Sequence, residues 1–330
     1  MPNFWKKIKK PILALAPMAG YTNSAFRQIC KYYGADVVYS EMASATALNF
    51  KGKKTLKMLK FKKAERYYVV QLFGNNPKYF KNAAKVITEK IKPDGIDINM
   101  GCPVRKVFSN GSGAALMLDA EKAREIIKQT LQGTNLPVSI KIRSKVEKTT
   151  AYKFVKKIKD LKIAAIMIHG RSMKQGFSGE IDYGQIKKVR LLLEKEAKLP
   201  IGSLASYANI PIIIANGGIN TPEDALKMFQ KTNADGIGIA RGALTKPWTF
   251  KQTKEFLKTE EYKEFELEQI KKAALKHAKM SSKSKGKYGI IEMRKYLLWY
   301  FRGFEGAKDV RKELVKVESV GDIEKVLGKI

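Results

Sequence analysis

The chain carries two cysteines, and one of them, Cys102, stands where a thiol can do chemistry. A short apolar run, Ile96 to Ile98, ends at Asn99 and turns through Gly101-Cys102-Pro103. Glycine lets the backbone bend where a Cβ would clash, and proline fixes φ immediately after the thiol. A thiol presented at the carboxyl end of a strand is a candidate nucleophile or proton donor; the plainer alternative is a buried, inert cysteine. Cys30 falls among the apolar positions of an expected helix and is assigned to packing.

Gln71, Lys141 and His169 end other strand-like runs. An amide and two nitrogen groups pointing into one mouth suit a planar, electron-accepting ring, and a cation beside such a ring stabilises the anion that a reduced flavin becomes. Singly, each has an ordinary role: a turn-capping amide, a solvated lysine, a hydrogen-bonded core histidine. The second histidine, His277, lies in the carboxyl-terminal stretch and reads as structural. Two loops, Asn216-Gly217-Gly218 and Ala240-Arg241-Gly242, offer backbone N–H groups and one fork-shaped cation, the chemistry that holds a phosphate. Gly236-Ile-Gly238 is no dinucleotide fingerprint, because its glycines lie inside a strand and no G-x-G-x-x-G spacing follows.

Eight apolar runs position these residues: 12–16, 37–40, 68–73, 96–99, 138–142, 165–169, 211–215 and 236–240. Helical patterns separate most of them, and Thr221-Pro222 has the form of a helix start. The order describes an α/β chain, a (β/α)8 TIM barrel rather than an open sheet. In that fold the site lies at the carboxyl ends of the strands, which is where Gln71, Asn99, Lys141, Arg143, His169, Asn216 and Arg241 fall. The segment 199–209 exceeds what a connecting loop needs and receives no assignment.

Past residue 255 the pattern becomes helical. Leu267, Ile270 and Ala274 recur at helical spacing, Met280 to Gly286 breaks the pattern, and 290–301 resumes it. The expected division is a barrel over 1–255 and a small helical domain over 256–330. Lys+Arg of 64 against Asp+Glu of 31 gives a net charge of +33, which points to a polyanionic partner, nucleic acid first and an anionic membrane second. A lysine-rich surface on an ordinary enzyme is the alternative. Two cysteines build no disulfide framework and fit a reducing cytosol. The basic start Lys6–Lys10 followed by Ile12–Ala16 imitates a secretory signal, but Pro11 and Pro17 bracket a run that is too short. It reads as a first strand, and the expected location is cytoplasmic, with no membrane span and no metal centre.

Several segments together carry a family resemblance. APMAGYTNSAFR (16–27), YSEM (39–42), VQLFGN (70–75), DGIDINMGCPVRKV (94–107), GSGAALM (111–117), KIR (141–143), IHGRSMKQGFSG (168–179), IPIIIANGGI (210–219) and ADGIGIARGAL (234–244) resemble, in order, the flavin-dependent tRNA-dihydrouridine synthases, the bacterial B-type most of all. Residues 294–300 resemble that family's helical domain less specifically. Ser172 stands where threonine is commoner, Ala240 replaces a frequent glycine, and 199–209 looks like an insertion.

The resemblance implies FMN, held by the Pro17-Met18-Ala19 backbone, Gln71, Lys141, His169, Asn216, Gly217, Gly218, Ala240 and Arg241. It implies NADPH as electron donor and Cys102 as the acid that protonates a uracil while hydride reaches the neighbouring carbon. It gives the positive charge a use, since a uridine stacked in folded tRNA must be extruded while cations hold the backbone. Arg105 and Lys106, with Lys283, Lys285, Lys287, Arg294 and Lys295 in the tail, are candidates for those phosphates. Asn99 and Arg171 are candidates for the uracil, and Arg143 for the substrate more generally. Two rival readings are a flavin enzyme acting on a free pyrimidine and an RNA-binding barrel without catalysis.

Overall fold

The computed structural model describes residues 3–197 and 210–330; the unassigned segment 199–209 lies outside the described residues. Eight strands are β1 (Ile12–Leu15), β2 (Val37–Tyr39), β3 (Tyr68–Phe73), β4 (Gly95–Met100), β5 (Val138–Arg143), β6 (Ala165–His169), β7 (Ile212–Asn216) and β8 (Gly236–Ile239). All pair in parallel in the order β2-β1-β8-β7-β6-β5-β4-β3, and β2 pairs with β3 to close the barrel, as the run of apolar segments predicts. A closed parallel sheet buries both faces, so its strands are apolar nearly throughout.

The main helices on the outside are α1 (Ser24–Tyr32), α2 (Pro77–Val86), α3 (Ala120–Gln132), α4 (Ala151–Ile158), α5 (Tyr183–Ala197), α6 (Pro222–Thr232) and α7 (Thr249–Thr259). Thr221 caps α6 by accepting from the Asp224 N–H. The lysine-rich connection between β2 and β3 contains two short helices, Ala45–Asn49 and Lys53–Met58. Its far end is tied to α1 by a buried pair, Arg27 to Glu65 at 2.6 Å.

Inside the barrel, side chains alternate along each strand. The lower layers are apolar: Ile12, Ala14, Val37, Val69, Ala165, Met167, Ile212 and Ile214 pack there with Phe4 and Trp5, which precede β1 and close the floor. The upper positions of the same strands are polar, and they make the site.

The tail forms α8 (Leu267–Tyr300), α9 (Ala307–Leu314) and α10 (Val320–Leu327). The expected break across 280–286 narrows to one residue: Lys283, Ser284 and Lys285 continue the helix on its solvent side, and only Gly286, at φ 57 and ψ −141, interrupts it. The two arms of α8 then fold back on each other. His277 Nδ1 and the Tyr300 hydroxyl lie 2.9 Å apart, and Lys285 reaches Glu292 at 2.8 Å. Gly289 sits where a Cβ would come within 2.1 Å of the Ser281 carbonyl oxygen. The hairpin docks on α1, with the rings of Phe26 and Tyr296 stacked at 5.0 Å.

Two outcomes follow from this packing. Gly289→Ala should destabilise the fold by about 1–3 kcal/mol, because the arms must separate to admit a methyl group; urea unfolding measures it, and an unchanged midpoint would contradict the close approach. His277 is fully buried, and burial followed by the charge of Lys295 pulls its pKa down to about 3. An unfolded histidine takes a proton below about pH 6.5 and the folded one does not, so this side chain's contribution falls as pH drops through that value. Between about pH 7 and about pH 5 it costs about 2 kcal/mol, and His277→Asn should remove that part of the acid-side loss in parallel urea titrations.

Candidate functional site

At the carboxyl ends of the strands a cavity of about 440 Å³ opens. Cys102, Asn99, Gln71, Lys141 and His169 line it, as do Pro17, Met18 and Ala19 after β1, Asn216, Gly217 and Gly218 after β7, and Ala240 and Arg241 after β8. Arg143 and Arg171 line it too, whereas Arg105, Lys106, Arg294 and Lys295 do not. Its size falls in the ~300–1,000 Å³ range of small-molecule sites.

The thiol is held from both sides of its turn. The backbone N–H groups of Gly101 and Cys102 donate to Asn99 Oδ1 at 3.1 and 2.9 Å, and the Cys102 carbonyl accepts from Ala114 at 3.0 Å. Asn99 Nδ2 donates to Gln71 Oε1 at 2.9 Å, and Gln71 Nε2 donates to Asp97 Oδ2 at 2.7 Å. Ser139 donates to the other Asp97 oxygen at 2.6 Å. Ser139 escapes a search by motif, because it looks like a polar interruption of an apolar strand, and Asp97, though inside the 94–107 segment, is not singled out there. Strand alternation does reveal them: each lies two residues before a mouth residue, Asn99 and Lys141.

Burial sets the charges here. It raises Asp97 to about 6, against the opposing pull of Ser139, Gln71 and Lys141, so the carboxylate is ionised at neutral pH. It lowers Lys141 to about 8, aided by Arg143 and opposed by Asp97 and Cys102. His169 is pushed down to about 2 by burial and then by Lys141, Arg143 and Arg171, and its imidazole is neutral. Its Nδ1 accepts the Arg171 N–H at 3.1 Å, which leaves the ring proton on Nε2.

Two arginines meet beside the β7 and β8 loops. Arg241 donates to the Phe177 carbonyl at 2.8 Å, and its guanidinium lies 5.3 Å from the Phe177 ring. Arg171 donates through Nε to Gly179 at 2.7 Å, while its Nη1 is buried without a hydrogen-bond partner. Burial and the charge of Arg241 both lower its pKa. Gly217 and Gly218 bring backbone to this place at φ 107 and 71, conformations that favour glycine. The Asn216 amide is occupied by the Gly238 carbonyl at 2.6 Å.

Other candidate cations have internal partners. Arg143 donates through Nε to the Gly101 carbonyl at 2.7 Å and through Nη1 to those of Ser172 and Gly176 at 2.9 and 3.1 Å. Arg294 holds the carbonyls of Val317 and Lys316 at 2.8 and 3.1 Å. Lys295 donates to the Gly20 carbonyl and lies over the Tyr21 ring at 4.8 Å. Lys285 pairs with Glu292 and Lys287 with Glu318. Arg105 and Lys106 are exposed on a short helix, Arg105–Phe108. Three aromatic residues that the motif reading did not single out also line the cavity: Tyr21, Phe177 and, from the tail, Trp299.

Comparisons with known proteins place the chain in a family and a fold. The dihydrouridine synthase (Dus) family model matches residues 14–329. A probable tRNA-dihydrouridine synthase of Aquifex aeolicus is 32% identical over 324 residues, spanning 96% of this chain and 95% of its own length. The tRNA-dihydrouridine synthase B of Vibrio vulnificus is 30% identical over 311 residues, or 93% of this chain and 91% of its own. Among solved structures, TcOYE with pHBA superposes with a TM-score of 0.52 at 11% identity, over 84% of this chain and 94% of that one. The histamine dehydrogenase from Rhizobium sp. 4-9 gives 0.55 at 13% identity, over 81% and 48%. These two share the barrel, while the family match and the relatives cover barrel and tail alike: the chain belongs to the dihydrouridine synthase family.

Proposed function

We propose that this chain reduces the C5–C6 double bond of specific uridines in tRNA, with FMN as bound cofactor, NADPH as its reductant and Cys102 as proton donor. The observation that carries the reading is the convergence on one cavity of Cys102, the Gln71–Lys141–His169 set and an unpartnered Arg171 Nη1 beside Arg241. A buried guanidinium nitrogen without an acceptor, next to a second cation, suits an anion such as the cofactor's phosphate. The Pro17–Ala19 backbone, Gln71, Lys141 and neutral His169 border the space for a flat ring, and Gly217, Gly218, Ala240 and Arg241 border that for its phosphate. When bound, the reduced flavin supplies the hydride that reaches C6 of the uracil.

Cys102 gives its Sγ proton to C5, so hydride and proton together saturate the double bond. Lys141 and Arg143, electrostatically coupled to the sulfur, stabilise the thiolate that remains until solvent reprotonates it. With its fork on three carbonyls, Arg143 shapes the seat of the base rather than reading its edge. Asn99 likewise spends its amide on the turn and on Gln71. Arg171, first considered for the uracil, is assigned to the phosphate.

The helical segment over 256–330 supplies tRNA contacts to the catalytic barrel over 1–255, with Trp299 as an aromatic wall at the mouth. Arg105, Lys106 and Lys283 are the cations best placed for backbone phosphates; Arg294 and Lys295 hold the tail itself. The partner is tRNA, and the setting is the cytoplasm. No described helix is long and apolar enough to cross a membrane.

Purified protein should be yellow and should form dihydrouridine in tRNA. Cys102→Ala should keep its flavin and lose turnover by roughly 10²–10⁴-fold; full activity would remove the assigned acid. Reduction of free uracil at a comparable rate would instead favour a free-pyrimidine enzyme. Raising salt from about 50 to about 200 mM should weaken tRNA binding by tenfold or more, as phosphate contacts require.

A further inference from the structure

The chain of amides beneath the thiol has a direction, and that direction has an origin. A primary amide can turn over with little change of shape, exchanging its oxygen for its NH2 group. Gln71 and Asn99 are two such amides in series, so neither turns alone without setting donor against donor or acceptor against acceptor. At the upper end stand two backbone N–H groups, those of Gly101 and Cys102, which can only donate. At the lower end stands Asp97, fully buried, which as a carboxylate only accepts.

We propose that Asp97 is a positioning residue for proton delivery. By accepting from Gln71 Nε2 it keeps Gln71 Oε1 toward Asn99 and Asn99 Oδ1 on the two N–H groups that hold the Cys102 turn. The inference rests on Cys102 being the acid, and it adds a residue remote from the reacting atoms whose loss is felt at the thiol.

The surroundings support the assignment. Asp97 and Ser139 are paired residues of β4 and β5, and Asp97 and Gln71 of β4 and β3, so the backbone register sets all three side by side. Ser139 occupies the second carboxylate oxygen at 2.6 Å. Gln71 is itself fixed through its own N–H, which donates to Ser40 Oγ at 2.9 Å. Lys141 provides a compensating charge. If the carboxylate were absent, Gln71 Nε2 would be left buried and unpaired. Turning Gln71 over would set its Nε2 toward Asn99, and Asn99 Oδ1 could accept from it only by releasing the two N–H groups of the thiol turn.

The test separates the missing acceptor from general destabilisation. Asp97→Val removes the acceptor at similar volume on a strand, and Asp97→Ala serves if valine does not fold. Either should speed hydrogen–deuterium exchange in peptides covering residues 100–104 and lower kcat on tRNA roughly tenfold, the value of one such hydrogen bond. KM should stay near wild type, and kcat is taken per bound flavin, because Gln71 also borders the cofactor space. Asp97→Asn keeps an oxygen for Gln71 and can donate to Ser139, so it should restore both exchange protection and kcat. Ser139→Ala, which loses a bond of the same kind but leaves the carboxylate, should exchange like wild type. Unchanged exchange and kcat in Asp97→Val or Asp97→Ala would overturn the proposal, as would an Asp97→Asn that falls equally far. The exchange measurement does not depend on turnover, so it stands apart from any failure of wild-type protein to reduce tRNA.

Discussion

Buried polarity at the top of a closed barrel is the constraint on which the rest of this structure depends. Removing amides, a carboxylate and an ammonium from water costs several kcal/mol unless each finds a partner of the right sense. The strands meet that demand with one connected set, from Ser139 through Asp97, Gln71 and Asn99 to the Gly101–Cys102 turn. The thiol turn is thus held from below by hydrogen bonds made between β3, β4 and β5, and from its sides by Ala114 and Arg143. Among the described residues that line the mouth, Arg171 keeps Nη1 buried without a hydrogen-bond partner.

The remainder of the chain keeps that layer in register. Phe4 and Trp5 seal the floor, so the strands cannot slip without exposing the apolar layers beneath the polar one. Above it, the α8 hairpin is pressed onto α1 by stacked rings and turned tightly enough to bring Trp299 to the cavity. Two arginines that could have been ligands instead act as clamps: Arg143 ties the thiol turn to the 172–176 loop, and Arg294 ties α8 to the segment before α10. Barrel and tail thus share one mouth, which is what a large, flexible substrate with a single small reacting base requires.

Much of this was legible in the sequence, for physical reasons. Eight apolar runs with polar residues at their ends admit few arrangements other than a barrel, and strand-end position alone placed Gln71, Lys141, His169, Asn216 and Arg241 around one cavity. Local chemistry also predicted the Thr221 cap. What was not legible depends on partners distant in the chain. Whether Arg143, Arg294 or Lys295 faces solvent or a carbonyl is decided by residues up to 275 positions away. The break in α8 was expected across seven residues and occurs at Gly286 alone, because serine and lysine tolerate an exposed helix and only the turn needs positive φ. Asp97 was readable in principle from strand alternation and from its place in the 94–107 segment, yet its partners Gln71 and Ser139 come from other strands.

The proposed function comes down to geometry: with cofactor and substrate bound, the Cys102 thiol would face the flavin across a single extruded base. A structure of the flavin-bound protein in complex with substrate tRNA tests it most directly, through the separation of Cys102 Sγ from C5 of the uracil. The account predicts about 3–3.5 Å, with sulfur and flavin on opposite faces of the base. A uracil seated with its C5 turned from the sulfur, or both groups on one face, would contradict it.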